Sequence, residues 1–200
     1  TGTLLISTDD GATWENTIPT GLNNTLQRVS WGDNAFVAVG DSGKILTSAD
    51  ALTWISKTSG TTNTLKSVVH DGTQFIAVGD SGTMLTSADG AVWTNRTLSL
   101  STMINAITYG NGTFVAVGGA GAGGDGGKAY TSFDGLAWTS QTTGTTQALS
   151  QIAYGNGKFV ATGCWSPTLI SADGVTWSKP SSSIAVPPAP STYCFNSLTY

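Results

Sequence analysis

Phe36-Val37-Ala38-Val39-Gly40-Asp41-Ser42-Gly43-Lys44-Ile45-Leu46-Thr47-Ser48-Ala49-Asp50-Ala51-Leu52-Thr53-Trp54 is the stretch on which the reading of the fold turns. It opens on an unbroken apolar run, breaks at Gly-Asp-Ser-Gly, resumes as a second β-patterned run and closes on Ser-x-Asp-x-x-x-Trp. A strand covered on one face alternates apolar and polar residues, whereas a continuous apolar run is covered on both. The run recurs as Phe75–Val78, Phe114–Val117 and Phe159–Thr162. Each copy follows an apolar-x-x-apolar-x-aromatic segment, starting at Leu26, Leu65, Ile104 and Leu149, and a further segment runs from Phe195 to Tyr200. Trp14, Trp54, Trp93, Trp138 and Trp177 therefore fall 40, 39, 45 and 39 residues apart. A period of that length with several short strands per unit is the signature of propeller blades.

Each unit reads as four strands: Leu26–Trp31, Phe36–Gly40, Lys44–Ser48 and a fourth beginning around Trp54. Gly-Asn-Gly at 110–112 and 155–157 supplies the positive φ that tight hairpins need. No segment carries a helical stripe. The expected fold class is all-β, a β-propeller of four-stranded antiparallel blades. The blades would be 26–64, 65–103, 104–148 and 149–194, with a partial blade over 1–25 and the start of another over 195–200. Joining the two partial pieces would give a five-bladed ring with a three-stranded closing blade. The alternative is a piece excised from a longer chain and a larger ring. The second is expected, because the first residue is Thr and Ser197-Leu198-Thr199-Tyr200 stops where a turn should follow.

Ser7-Thr8-Asp9-Asp10-Gly11-Ala12-Thr13-Trp14 resembles the Asp-box, Ser-x-Asp-x-Gly-x-Thr-Trp, of the sialidase-like (BNR-repeat) propellers. The copies Ser48 to Trp54, Ser87 to Trp93, Ser132 to Trp138 and Ser171 to Trp177 are one residue shorter. An Asp carboxylate can accept the N–H groups of its own turn, and a Trp can fill the space between blades. The resemblance implies that the pairs Asp9 and Trp14, Asp50 and Trp54, Asp89 and Trp93, Asp134 and Trp138, and Asp173 and Trp177 are structural. Ala51 stands where three of the other copies carry Gly, which suggests a turn that avoids positive φ.

Composition narrows the function. Only 10% of the 200 residues are charged, against about 25% in ordinary soluble domains. The net charge is −4 and the eight basic residues are scattered singly, so neither nucleic acid nor an anionic membrane finds a footprint. No apolar run reaches the ~18–20 residues of a membrane span, and no signal-peptide pattern opens the chain. With one His and two Cys the sequence lacks the ligands of a structural zinc site, and no metal or cofactor is expected. Sialidases of the family it resembles use three arginines, a Tyr/Glu pair and an acid/base Asp. This chain has two arginines, Arg28 and Arg96, and one glutamate, Glu15. Five of its eleven aspartates lie in boxes, Asp41 and Asp80 repeat at one turn position, and Asp33 and Asp71 sit in hairpin turns. Glycosidases need two carboxylates with separated pKa values, and repeated carboxylates do repeated structural work. No catalytic residue is assigned, and no enzyme is expected.

Strand order places the Gly-rich turns and the blade-to-blade connections at one end of each blade and the boxes at the other. The resemblance implies ligand binding at the end away from the boxes. Asp41, Ser42, Asp80 and Ser81 lie there, with Asp125 in the 118–127 insertion and Trp165 beside the Pro-rich stretch 180–190. Trp165 either stacks on a sugar ring or packs under that stretch. The insertion is read as an elongated hairpin, because no helix follows to meet a phosphate. His70 takes the position of Trp31, Tyr109, Tyr154 and Tyr200, which argues for packing. Cys164 and Cys194 are either free or joined. A disulfide is expected, closing about thirty residues and contributing on the order of 3 kcal/mol. Asn23, Asn95 and Asn111 open Asn-x-Thr acceptor patterns.

The expected function is that of an extracellular recognition module binding carbohydrate or a surface glycan. The alternative is an architectural or adhesion module of a cell-surface or phage tail-like assembly, acting through protein contacts and open to self-association. A glycoside hydrolase fragment is the third reading.

Overall fold

Val37 to Val39, Phe75 to Val78 and Phe114 to Val117 have no solvent exposure, as their unbroken apolar runs require. The computed structural model describes residues 3–19, 22–98, 102–119, 126–163 and 168–180. β1 (Leu5–Ile6) and β2 (Glu15–Asn16) form a two-stranded sheet. β3 (Leu26–Gly32), β4 (Ala35–Gly40), β5 (Ile45–Ser48) and β6 (Ile55–Lys57) make the first full blade. β7 (Leu65–His70), β8 (Phe75–Gly79), β9 (Met84–Ser87) and β10 (Thr94–Asn95) make the second. β11 (Ile104–Gly110), β12 (Thr113–Gly119), β13 (Gly127–Ser132) and β14 (Thr139–Thr142) make the third. The last described sheet holds β15 (Gln151–Gly155), β16 (Lys158–Thr162) and β17 (Leu169–Ser171). Every neighbouring pair is antiparallel and follows chain order.

The fold is all-β, built of propeller blades, and the strands fall where the repeat places them. In the last blade a single bridge, Ile170 to Ser178, replaces the outer strand. Pro180 stands there where Lys57, Arg96 and Gln141 stand in the other blades, and proline cannot donate to a ladder. β12 and β13 remain paired out to Gly119 and Gly127, so the insertion prolongs a hairpin as expected.

The chain packs as two compact units, residues 1–79 with 83–97 and residues 80–82 with 98–200. In the first, Val37, Val39 and Ile45 pack against Leu65, Phe75 and Leu85 of the next sheet, with Trp93 laid on the cluster. In the second, Val115, Val117 and Ala129 pack against Ile152, Phe159 and Leu169, with Trp177 and Tyr154 laid on it. The aromatic that ends each first strand sits opposite the Phe that opens the second. Trp31–Phe36 and His70–Phe75 have ring centroids 4.4 Å apart, and Tyr109–Phe114 and Tyr154–Phe159 have them 4.7 Å apart. His70 thus packs as its register predicts. Its ring lies so close to Gly32 that an added Cβ would fall 2.1 Å from His70 Cγ.

Two expectations are overturned. Ala51 does not avoid the left-handed region but occupies it, at φ +59. Gly90 and Gly174 hold the same conformation, and a Cβ on them would fall 2.8 Å from Val37 Cγ2 and 2.6 Å from Val115 Cγ2 of the neighbouring blade. Ala51 is not fully buried as they are. Among the described residues the sheet before it has only β1 and β2, with no buried second strand to meet its methyl. Space decides which turns must carry glycine. Trp14 also departs from its expected packing, being 59% exposed, while the other four box tryptophans are half-buried. The expected Cys164–Cys194 disulfide and the strand 195–200 lie outside the described residues.

Candidate functional site

At one end of the blades, each Ser-x-Asp turn closes on itself. Ser48 Oγ donates to Asp50 Oδ1 at 2.9 Å, and that oxygen also accepts the Leu52 and Thr53 N–H groups at 2.9 and 2.7 Å. Asp173 repeats the pattern with Ser171, Val175 and Thr176. The Trp indole N–H then donates to the carbonyl three residues back, at 2.9 Å for Trp54 to Ala51 and 2.8 Å for Trp93 to Gly90. The first turn holds one residue more, and there Asp10 and Gly11 both take positive φ. There Asp9 receives Thr13 through both hydroxyl and N–H, at 2.6 and 2.8 Å.

These donors hold the carboxyls ionised. The Thr13 hydroxyl, followed by the Thr13 N–H, brings Asp9 down to about 2. The Thr53 and Leu52 N–H groups bring Asp50 down to about 2. Asp89, Asp134 and Asp173 are lowered by the equivalent backbone donors, those of Val92, Ala137 and Thr176 first. A carboxylate consumed by its own turn in every copy is a brace.

The other end carries the loops. In the first unit Ser42 and Gly43 of the turn Asp41–Gly43 and the connection 58–63 line an open groove of about 680 Å³. Ser42 stands in it at φ 56, and Gly43 beside it at φ 68. Asp41 is tied down: its N–H donates to Thr25 O at 2.9 Å, and its Oδ1 accepts Gln27 Nε2 at 3.0 Å. Ser59 Oγ donates to Thr61 O at 3.1 Å and accepts the Thr61 N–H at 3.3 Å, while Thr61 Oγ1 accepts the Asn63 N–H at 3.1 Å. That hydroxyl chain fixes the groove wall. Lys44 and Lys57 complete the lining, and no carboxylate belongs to it.

Of the candidate ligand residues, Ser42 lines this groove, while the Asp41 carboxylate is outside the lining and bonded to Gln27. Asp80 and Ser81 repeat the turn in the other unit, with Ser81 at φ 54 and Gly82 N–H bonded to Thr102 O at 2.8 Å. Asp125 and Trp165 lie outside the described residues. The sequence reading missed the connection itself. Thr58-Ser59-Gly60-Thr61-Thr62-Asn63 returns as Thr142-Thr143-Gly144-Thr145-Thr146-Gln147, with Thr145 Oγ1 accepting the Gln147 N–H at 3.1 Å. The repeat is visible in the chain as Thr-x-Gly-Thr-Thr at 58–62 and 142–146. Only this blade carries both lysines, Lys44 after the turn and Lys57 on the outer strand, since Gln141 takes the place of Lys57 in the blade of Lys128.

His70 offers no proton relay in this arrangement. Its Nδ1 accepts the Gly72 N–H at 3.1 Å, and its Nε2 meets no partner among the described residues.

No protein-family model matches the sequence, and no curated protein sequence does. Solved structures do resemble it. YCF48 bound to a D1 peptide superposes with a TM-score of 0.64 at 18% identity, over 88% of this chain and 59% of that one. A nidogen/laminin complex gives 0.60 at 13%, over 85% and 69%. An ancestral GH74 enzyme gives 0.61 at 16%, over 82% and 24%. The fold is that of a β-propeller. At these identities the likeness extends to fold alone, and the chain spans about three fifths of the YCF48 structure.

Proposed function

We propose that this propeller is a non-enzymatic recognition module that engages a protein surface through the loop end of its blades. The observation that carries the reading is the groove between Ser42-Gly43 and 58–63, whose walls are held by hydrogen bonds and whose two lysines depart from the repeat. The box carboxylates, each satisfied within its own turn, supply no acid/base pair. We read the turns as Asp-boxes of the sialidase-like type, kept for structure. The low charge and the Ser/Thr-rich surface favour a place outside the cell or on a virion. Two of the similar structures contain a bound peptide or a protein partner by their own descriptions, which supports the choice of a protein ligand.

A glycan is the second reading, favoured by the hydroxyl and ammonium donors of the groove, which suit sugar hydroxyls. Its weakness is the absence of an aromatic platform among the lining residues. An architectural role would use the same surface for contact with other chains.

Peptide and glycan arrays probed with the labelled chain, beside a Thr62→Trp variant that fills the groove, separate these readings. Peptide binding lost in the variant supports the proposal. Glycan binding alone, lost in the variant, replaces it with the second reading. Binding that the variant retains removes the groove from the account, and hydrolysis of model glycosides would end the non-enzymatic reading.

A further inference from the structure

We infer that the partner presents an acidic segment to this groove, its carboxylates seated by Lys44 and Lys57. The inference rests on the recognition reading above and gives the ligand a chemistry. The chain is acidic overall, yet two of its eight basic residues line one groove from which Asp and Glu are absent. Both lysines are half-buried, and neither has a carboxylate partner among the described residues. Lys44 Nζ rests 3.5 Å from Ser56 Oγ, a neutral contact. The two lysines are covered only in part, the Lys44 ammonium contact is exposed, and with no counter-charge beside them both amines are open to an incoming anion.

The register shows how the charges are placed. Lys57 lies opposite Ile45, and Ser56 lies opposite Leu46 on the other face of the same strand pair. Lys44, bonded to Ser56, therefore reaches the groove along one face of the blade and Lys57 along the other. Two ammoniums straddling the blade end suit an extended chain crossing it, with acidic side chains alternating to either side. The wall between them offers the hydroxyls and backbone of 58–63, which suit a peptide main chain and give a sugar ring nothing to stack on. Lys57 also borders the smaller groove near Asp50 and Asp89, so a swing of its side chain toward those carboxylates is the competing arrangement.

The test titrates the whole chain with a labelled peptide alternating Glu and Ser, a Gln/Ser control, and a polyuronate oligosaccharide. Wild type should bind the Glu peptide roughly tenfold or more tightly than the control. The preference should disappear in Lys44→Gln/Lys57→Gln, persist in Lys128→Gln, and weaken as salt shortens the ~10 Å screening length. Circular dichroism confirms that the double variant, altered only at half-buried surface amines, is folded. Equal binding of Glu and Gln peptides, both lost in Thr62→Trp, overturns the acidic ligand and leaves the recognition reading standing. Tighter binding of the polyuronate than of the Glu peptide, or a double variant that keeps the preference, overturns the inference too. No peptide binding at all overturns it together with the reading beneath it.

Discussion

The carbonyl of Ala51 accepts the Trp54 indole N–H at 2.9 Å while Ala51 itself holds φ +59, so the chain bears a side chain where its sister turns use glycine. A left-handed L-residue costs ~1–2 kcal/mol, part of which glycine would give back as unfolded-state entropy. Ala51→Gly should therefore raise stability slightly, by about 0.5–1 kcal/mol. Gly90→Ala and Gly174→Ala should lower it by roughly 2–4 kcal/mol, because the same φ is joined by collisions with Val37 and Val115. Urea unfolding of the three variants checks the pair of claims. Equal losses in all three would sink the argument that space decides the turn residue.

Close approach between blades is also testable at the other face of each core. A Cβ on Gly32 would enter the His70 ring, and one on Gly110 would come 2.1 Å from Tyr154 Cγ. Each variant to Ala forces an aromatic ring off its Phe partner and should cost about 1–3 kcal/mol. Gly112→Ala, in a hairpin turn with open space around it, should cost only the penalty of its positive φ. Thermal unfolding of the three, with Gly112→Ala the mildest, is the expected result. A Gly112→Ala loss matching the other two would show that backbone strain, not ring contact, sets the cost.

Acid should loosen the turns. The box carboxyls are lowered in the folded protein, Asp9 and Asp50 to about 2, by N–H and hydroxyl donors that unfolding releases. The folded state therefore binds fewer protons than the unfolded one between the two pKa values. The stabilisation is complete above the unfolded carboxyl's ~4 and is lost as pH falls toward about 2. Melting temperature should fall across that window. A combined Asp50→Asn, Asp89→Asn and Asp173→Asn variant keeps the acceptor oxygen but not the titration, and its melting temperature should change less with pH. Parallel curves for variant and wild type would place the acid sensitivity elsewhere.

The blades were legible in the chain because burial on both faces leaves a short apolar run, and that run recurs 39, 39 and 45 residues apart at Phe36, Phe75, Phe114 and Phe159, with only Thr162 breaking the fourth copy. The box bonding was legible for the same reason, since Ser, Asp and Trp act within seven or eight residues of one another. The conformation of Ala51 was not, because it depends on what the neighbouring sheet lacks. Nor was the groove. It joins a turn to a connection about fifteen residues later, and its lysines come to one blade end only through the pairing of β5 with β6. The replaced outer strand of the last blade was written in Pro180, a single residue whose meaning needed the register.

Thr162 gives the last prediction. It ends β16 in the place taken by Val39, Val78 and Val117 in the other blades, and it is 3% exposed. Its carbonyl is used, accepting the Ser150 N–H at 2.8 Å, but its hydroxyl has no partner among the described residues. Burying a hydroxyl unpaired costs about 1–3 kcal/mol relative to an apolar group of the same shape. Valine is that group, differing by one methyl for hydroxyl, and the repeat already shows it accepted in this environment. Thr162→Val should raise stability by about 1 kcal/mol, while Thr162→Ser, which keeps the hydroxyl and opens space for a methyl, should lower it. Urea midpoints at constant slope would show both signs. A destabilised Thr162→Val would mean that the hydroxyl is satisfied in solution, by water or by the chain beyond Gly163.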